Sequence, residues 1–340
     1  MTTPQMSATA REVHVAPAQA GSKLPGLVVA EAPVPVPGPG QLLVRNRYFH
    51  VYAALRTLLG GSVPGAPFPG LGPGDPLVGA AVGEVVTAPA GGDLAVGQLV
   101  LHQLGWREYA VVDVAAAAPL DGDLPDPAAY LAGGTTAYAA LTQVAPVRPG
   151  DAVFVSGGAG SVGSMAGQIA RRLGAALVVG STGSAAKARW MTAELGYDAA
   201  VVRGAAPLAE QLAKAAPDGL DVVVDLVGGE DLQAAVATAR TGARFALIGA
   251  LSGQLGPGSG TTAPVEIDSF QLIVKQLRLT GYSGGHDPEL VREWRTRFAS
   301  WLRSGEIGFP HVLVPGISAA PQAFQDVVAG RYQGAVIIAL

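Results

Sequence analysis

The run Val153 to Ser156 leads into Gly-Gly-Ala-Gly-Ser-Val-Gly, where Gly158, Gly160 and Gly163 satisfy the spacing Gly-x-Gly-x-x-Gly and Ala159, Ser161 and Val162 fill the rest. A helix-like run, SMAGQIARRLG, follows at once. Glycines at this spacing between a strand and a helix permit a tight turn and let the backbone approach a pyrophosphate, whose charge rests on the helix N-terminus. The expected chemistry is dinucleotide binding.

Which dinucleotide depends on the end of the next strand, where NAD-binding chains place a carboxylate on the ribose hydroxyl. Between Asp151 and Glu194 there is no acidic residue, and the loop GSTGSAAKAR instead offers Ser181, Thr182, Ser184, Lys187 and Arg189. Hydroxyl and cationic donors suit a ribose 2′-phosphate. NADP(H) is therefore expected, with Arg189 read as a solvated helix residue.

Other chemistries are excluded by what the chain lacks. With no cysteine, disulfides, thiolate nucleophiles, iron–sulfur clusters and thiolate zinc sites drop out. The five histidines, His14, His50, His102, His286 and His311, show no metal-ligand spacing and read as solvated or core residues, so no metal is expected. Charged residues are 14% with a formal net charge of -4, which gives no basic footprint for nucleic acid or an anionic membrane. The expected partner is a small molecule.

Positioning the glycine loop requires a sheet. Short β-branched runs at Val153 to Ser156, Leu177 to Gly180, Ala200 to Arg203, Val222 to Val227, Phe245 to Gly249 and Leu277 to Ser283 alternate with helix-like stretches. Most are apolar on both faces, which predicts strands covered by helices on two sides, and six of them make a doubly wound parallel Rossmann sheet in an α/β fold. The last helix of this block has Asp287 as cap, Pro288 at its first position, Leu290, Trp294, Phe298 and Trp301 on one face and Gly305 as its stop. Residues 1–126 differ: QLLVRNRYFH, VGEVV and QLVLHQ are separated by proline and glycine clusters, which predicts a β-rich lobe completed by residues 305–340, with the cofactor domain at 127–304 inserted between.

The mean hydropathy of +0.35 raises the question of a membrane, but proline and glycine break every apolar run. The longest uncharged candidate, Pro127 to Val147, reads as a buried segment. The polar start MTTPQMSATAREV has no apolar signal core, so a soluble, cytoplasmic protein is expected.

Five segments, GGTTAYAAL (Gly133 to Leu141), VFVSGGAGSVGSMAGQIARRLG (Val153 to Gly174), LGYDAAVV (Leu195 to Val202), DGLDVVVDLVGGE (Asp218 to Glu230) and FALIGALSG (Phe245 to Gly253), together with the ending APQAFQDVVAGRYQGAVII, resemble one family. It is the zinc-independent alkenal and prostaglandin reductase (leukotriene dehydrogenase-like) branch of the medium-chain dehydrogenase/reductase superfamily. The resemblance implies a GroES-like catalytic domain beside the Rossmann domain, NADP(H) as cofactor and a homodimer. It places Gly158 to Gly163 on the pyrophosphate, Lys187 and Arg203 near the 2′-phosphate, and Thr136 with Gly249, Ala250, Leu251 and Ser252 near the nicotinamide. Tyr282, Ser283 and Gly284 fall in a loop bordering the cofactor. Tyr52, Arg56 and Trp106 fall in the substrate cleft, Tyr52 standing where the family commonly has Asp. Leu226 and Tyr332 replace asparagines of the family pattern near the cofactor.

The expected reaction is NADPH-dependent reduction of an activated double bond, in an α,β-unsaturated carbonyl compound or a quinone, with Tyr52 and Tyr282 as candidate proton or hydrogen-bond donors. A metal-free alcohol or imine oxidoreductase stays open at this point, as does a biosynthetic or binding protein that keeps the fold with weakened redox activity.

Overall fold

The structure is a computed structural model that describes residues 9–17, 25–59, 61, 70–256, 262–285 and 287–340. The chain divides into two compact units. One holds the residues up to Leu131 with Val312–Ala329 and Val336–Leu340, and the other holds Ala132–His311 with Gly330–Ala335.

In the first unit, β1 (Thr9–Val15) pairs antiparallel with β2 (Leu27–Pro33). Then come β3 (Gln41–Val51), the short helix α1 (Leu55–Leu59), β4 (Ala81–Thr87), β5 (Leu99–His102), β6 (Tyr109–Asp113) and β7 (Ala118–Pro119). Alternating β-branched side chains in these strands bury one face, and Leu42, Val44, Val85, Val100, Ala110 and Val112 form a core cluster.

The second unit begins with α2 (Gly134–Ala139), which continues as a π-helical turn over Ala140–Val144. There follow β8 (Ala152–Val155), α3 (Ser161–Arg172), β9 (Leu177–Thr182), α4 (Ala185–Glu194), β10 (Ala199–Val202), α5 (Leu208–Ala215), β11 (Leu220–Asp225), α6 (Gly229–Thr238), β12 (Ala239–Leu247), α7 (Leu251–Leu255), α8 (Ser269–Val274), β13 (Arg278–Gly281) and α9 (Pro288–Arg303). The chain ends with β14 (His311–Pro315), α10 (Ala320–Val328) and β15 (Ala335–Ala339). These last two strands extend the β-rich sheet, whose order is β14-β15-β3-β4-β5-β7 with β6 also on β3. Among the described residues, no helix is long and apolar enough to cross a membrane.

The six strands of the second unit pair in the order β10-β9-β8-β11-β12-β13, all parallel. Every residue of β8 is buried, as a strand covered on both faces requires. Phe154, Val179, Val223 and Phe245 are fully buried in one cluster, and each such side chain contributes about 1.5–3 kcal/mol on burial. Strand order reverses at β8, which lies between β9 and β11 with Phe154 opposite Val179 and Val223. In a sheet of this kind the crevice opens beyond the C-terminal ends of the strands at that reversal. Asp287 caps α9 by accepting the Glu289 N–H at 2.9 Å, and its face of Leu290, Trp294 and Phe298 is buried, with Tyr138 of α2 5.5 Å from the Trp294 ring.

Candidate cofactor and active site

Beyond β8 the chain turns sharply through Gly157, whose φ of 63° is left-handed. Ser156, fully buried, donates to Asp225 Oδ1 at 2.6 Å and accepts the Leu226 N–H at 2.7 Å, tying the ends of β8 and β11 together. Asp225 also accepts the N–H groups of Val227 and Gly228 at 3.2 and 3.0 Å. Helix α3 then begins at Ser161, with Gly160 at its cap, no side-chain cap bond and no acid in its first turn. Its positive end thus carries no acidic side chain from its own first turn, and the buried Ser161 Oγ has no hydrogen-bond partner among the described residues.

Two of the motif glycines serve packing. A Cβ on Gly163 would stand 2.7 Å from Gly158 Cα and press on the Gly157 carbonyl, while one on Gly158 would meet Met191 and stand 3.0 Å from the Tyr197 hydroxyl. Buried Tyr197 wedges between α3 and β9 and donates to the Gly163 carbonyl at 2.7 Å. Gly160 is different: it is exposed, and a Cβ there would have only the Gly157 carbonyl nearby, at 3.5 Å. An uncapped helix end, an orphaned hydroxyl and an exposed glycine at the cap fit the pyrophosphate of a dinucleotide.

At the end of β9, Ser184 caps α4 by accepting the Lys187 N–H at 3.3 Å. The Lys187 ammonium donates to the Gly330 carbonyl at 2.7 Å. Burial, and then the nearby Arg203 guanidinium, hold its pKa below the ordinary lysine value, so two cations converge on this loop. Arg203 Nη2 lies 3.7 Å from the position of a Cβ on Gly183. Arg189 is exposed. This donor set fits a phosphate monoester.

Ser181 is fully buried, and its hydroxyl donates to Asp231. Its one proton is therefore turned away from the loop surface, and Ser181 shapes the site from beneath. Asp231 is the acid that reading along the strand missed, because it arrives from the first turn of α6. The only sequence signal was the acidic pair Glu230 and Asp231 just after Gly228 and Gly229. The Ser156–Asp225 tie was missed in the same way.

Thr136 lies in α2. Gly249 follows β12 and donates its N–H to the Asp225 carbonyl at 3.1 Å, and a Cβ there would stand 2.7 Å from the Leu226 carbonyl oxygen. After it, Ala250 caps α7 and Leu251 opens it, while the Ser252 hydroxyl donates to the Val227 carbonyl at 2.7 Å. The Tyr282 N–H bonds the Leu247 carbonyl at 2.9 Å, so Tyr282, Ser283 and Gly284 leave the sheet directly after β13. Burial raises the Tyr282 pKa above that of a free phenol. Tyr332, half-buried, belongs to the segment Gly330–Ala335, whose Gly334 donates to the Ala159 carbonyl at 2.9 Å.

In the β-rich unit, Tyr52 and Trp106 meet at Gly79, where a Cβ would stand 3.3 Å from Tyr52 Cε1 and 3.4 Å from Trp106 Nε1. Burial raises the pKa of Tyr52, so its phenol stays protonated at neutral pH. Trp106 is fully buried against Phe49 at 5.0 Å, with a left-handed φ of 64° and an unpartnered Nε1. A bulky residue in that conformation is strained. His50, whose ring centre lies 5.6 Å from that of Tyr52, also has an unpartnered buried Nε2. Neither orphan was legible in the sequence. Arg56 lies in α1.

Residues 161–303 match the family model described as zinc-binding dehydrogenase, and residues 21–120 match the model described as N-terminal domain of oxidoreductase. NADPH-dependent curcumin reductase of Escherichia coli (strain K12) is 30% identical over 321 residues, covering 91% of this chain and 90% of that protein. Prostaglandin reductase 1 of Mus musculus is 32% identical over 260 residues, covering 71% and 75%. The chain belongs to the zinc-independent alkenal and prostaglandin reductase branch of the medium-chain dehydrogenase/reductase superfamily. The crystal structure of CurA in complex with NADPH from Vibrio vulnificus matches the reductase with a TM-score of 0.86 at 28% identity, covering 97% of this chain and 99% of that one. One matching model is described as zinc-binding, whereas the reductase has no cysteine to supply a thiolate ligand, and among its described residues no group of three His, Asp or Glu side chains is placed to hold a metal ion.

Proposed function

We propose that the reductase uses NADPH to reduce the alkene of an α,β-unsaturated carbonyl compound, or a quinone, without a metal. NADP(H) is the cofactor of this oxidoreductase. The observation that carries the reading is the pairing of the uncapped α3 N-terminus with the convergence of Lys187 and Arg203 beyond β9. In this reading the N–H groups at the start of α3 hold the pyrophosphate, Lys187, Arg203 and Ser184 hold the 2′-phosphate, and Thr136, Gly249 to Ser252 and Tyr282 to Gly284 border the nicotinamide. When bound, NADPH supplies the hydride. The side chains of the reductase have two tasks: to orient the carbonyl compound and to place a donor on the oxygen that gains negative charge. Tyr52 is the first candidate, since its phenol stays protonated at neutral pH and so remains a donor. Tyr282 shares that property. We also assign the reductase as a homodimer, supported by the end position of β13, which pairs with β12 alone among the described residues, and by the exposed apolar side chains of α8.

The test is stopped-flow NADPH oxidation with enones and quinones, using cofactor deuterated at the transferred position, alongside NADP+ reduction with simple alcohols. Label at the β-carbon of an enone is the expected result. Alcohol turnover with inert enones overturns the assignment, as does stoichiometric zinc whose chelation abolishes turnover. Tyr52→Phe is expected to slow turnover on the order of a hundredfold while sparing NADPH affinity. Lys187→Ala is expected to weaken NADPH binding by about 1.5–3 kcal/mol and to leave NADH nearly untouched.

A further inference from the structure

A buried carboxylate lies directly beneath the cationic loop. Asp231 is 1% exposed in its side chain, while its partner Arg203 keeps 30%. Arg203 Nη1 lies 3.3 and 3.5 Å from the two Asp231 oxygens and 3.1 Å from Ser181 Oγ. Ser181 donates to Asp231 and also accepts the Gly157 N–H at 3.1 Å. A hydroxyl has one proton and two acceptor positions, so Ser181 is saturated by these three bonds. The inner edge of the guanidinium is thus spoken for, and its Nη2 lies toward Gly183 on the loop that carries Ser184 and Lys187.

A carboxylate exposed at this place would accept a bond from a ribose hydroxyl and repel a phosphate. Asp231 is buried and paired, so it does neither directly. A half-exposed arginine that must order itself around a ligand loses side-chain entropy on binding, whereas one already pinned does not. We propose that Asp231 is a positioning residue for recognition of the 2′-phosphate. It pins the inner edge of Arg203 so that the outer edge, with Lys187, forms a prearranged phosphate-monoester subsite. Through Ser181 it couples that subsite to the first glycine of the pyrophosphate loop. The proposal rests on the reading of NADPH as cofactor, and it assigns a role to a residue outside the glycine motif and outside the β9 loop.

The experiment is calorimetric titration of the full-length protein with adenosine 2′,5′-bisphosphate and with 5′-AMP, which differ only in the 2′-phosphate. The readout is the ratio of the two affinities. Wild type is expected to prefer the bisphosphate, and a wild type with no preference overturns the NADPH reading itself. Asp231→Asn is expected to lower the preference about tenfold or more, the scale of a charge-assisted bond, with 5′-AMP affinity little changed. Arg203→Ala should do the same, and the double variant should fall no further, because the two residues act as one unit. A preference that is unchanged or increased in Asp231→Asn overturns the proposal. So does an equal loss of affinity for both ligands, or additivity in the double variant. Arg203→Lys keeps the charge and loses the fork, so it should also lose the preference. If Asp231→Asn does not fold, Arg203→Lys decides the matter alone, a retained preference refuting the proposal.

Discussion

His102 Nδ1 accepts the Leu104 N–H at 3.1 Å, so its proton belongs on Nε2, which faces Asn46 Oδ1 at 2.9 Å. The ring has no place for a second proton. Burial, assisted by the Arg107 charge, holds its pKa down at about 4, and burial alone does the same for His50. Both folded values lie below the unfolded value of about 6.5, so the unfolded chain takes up the protons first as pH falls. The stabilisation is complete above pH ~6.5 and is lost as the pH drops toward 4, at up to about 1.4 kcal/mol per pH unit for each histidine. Urea unfolding between pH 7 and pH 5 should show this slope, and His102→Gln should reduce it by about half; an equal slope in both proteins would count against the assignment. The sequence reading placed these histidines as core or solvated residues, and His286 lies outside the described residues. Residue type was legible, but side-chain direction was not. Ser181 stands among loop hydroxyls in the sequence, yet its proton goes to an acid fifty positions away.

The glycine loop is the element whose sequence signal was clearest, yet its glycines divide into two kinds that spacing alone does not separate. Gly163→Ala forces a methyl against the Gly157 carbonyl and should destabilise the fold by about 1–3 kcal/mol, lowering the melting temperature and NADPH binding together. Gly160→Ala has room in the protein itself, with φ -86° and ψ -177° open to any residue, and should weaken NADPH binding with little change in melting temperature. Thermal melts paired with NADPH fluorescence titration separate the two, and equal melting losses would refute the distinction. The strands and α9 were legible because buried parallel strands are apolar on both faces and α9 carries both a cap and a stripe. Two local features were not. The π-helical turn at Ala140–Val144 has no composition signature, and the left-handed Trp106 breaks the rule that such positions favour glycine.

At the level of the whole chain, β13 lies at the end of the parallel sheet and pairs with β12 alone among the described residues, and α8 exposes Phe270, Ile273 and Val274 at 66%, 71% and 55%. An open strand edge beside an apolar helix is a surface that soluble proteins cover. Sedimentation velocity at micromolar concentration should give a dimer, and Phe270→Glu with Ile273→Glu should shift it to monomer; a wild-type monomer would sink the assignment. The β-strand runs suggested how many strands the sheet has, but not which distant residues meet at its rim, because Asp231 and Gly330 reach the β9 loop by tertiary packing. The second of these has a consequence for how the protein is made. Lys187 bonds a carbonyl 143 residues ahead of it, and Ala159 waits for Gly334. On the ribosome, the sheet, its helices and the glycine turn can all emerge and pack while both of these bonds are still missing. A product cut short before Gly330 lacks the partners of both Lys187 and Ala159, and is expected to pack its parallel sheet yet hold NADPH more weakly.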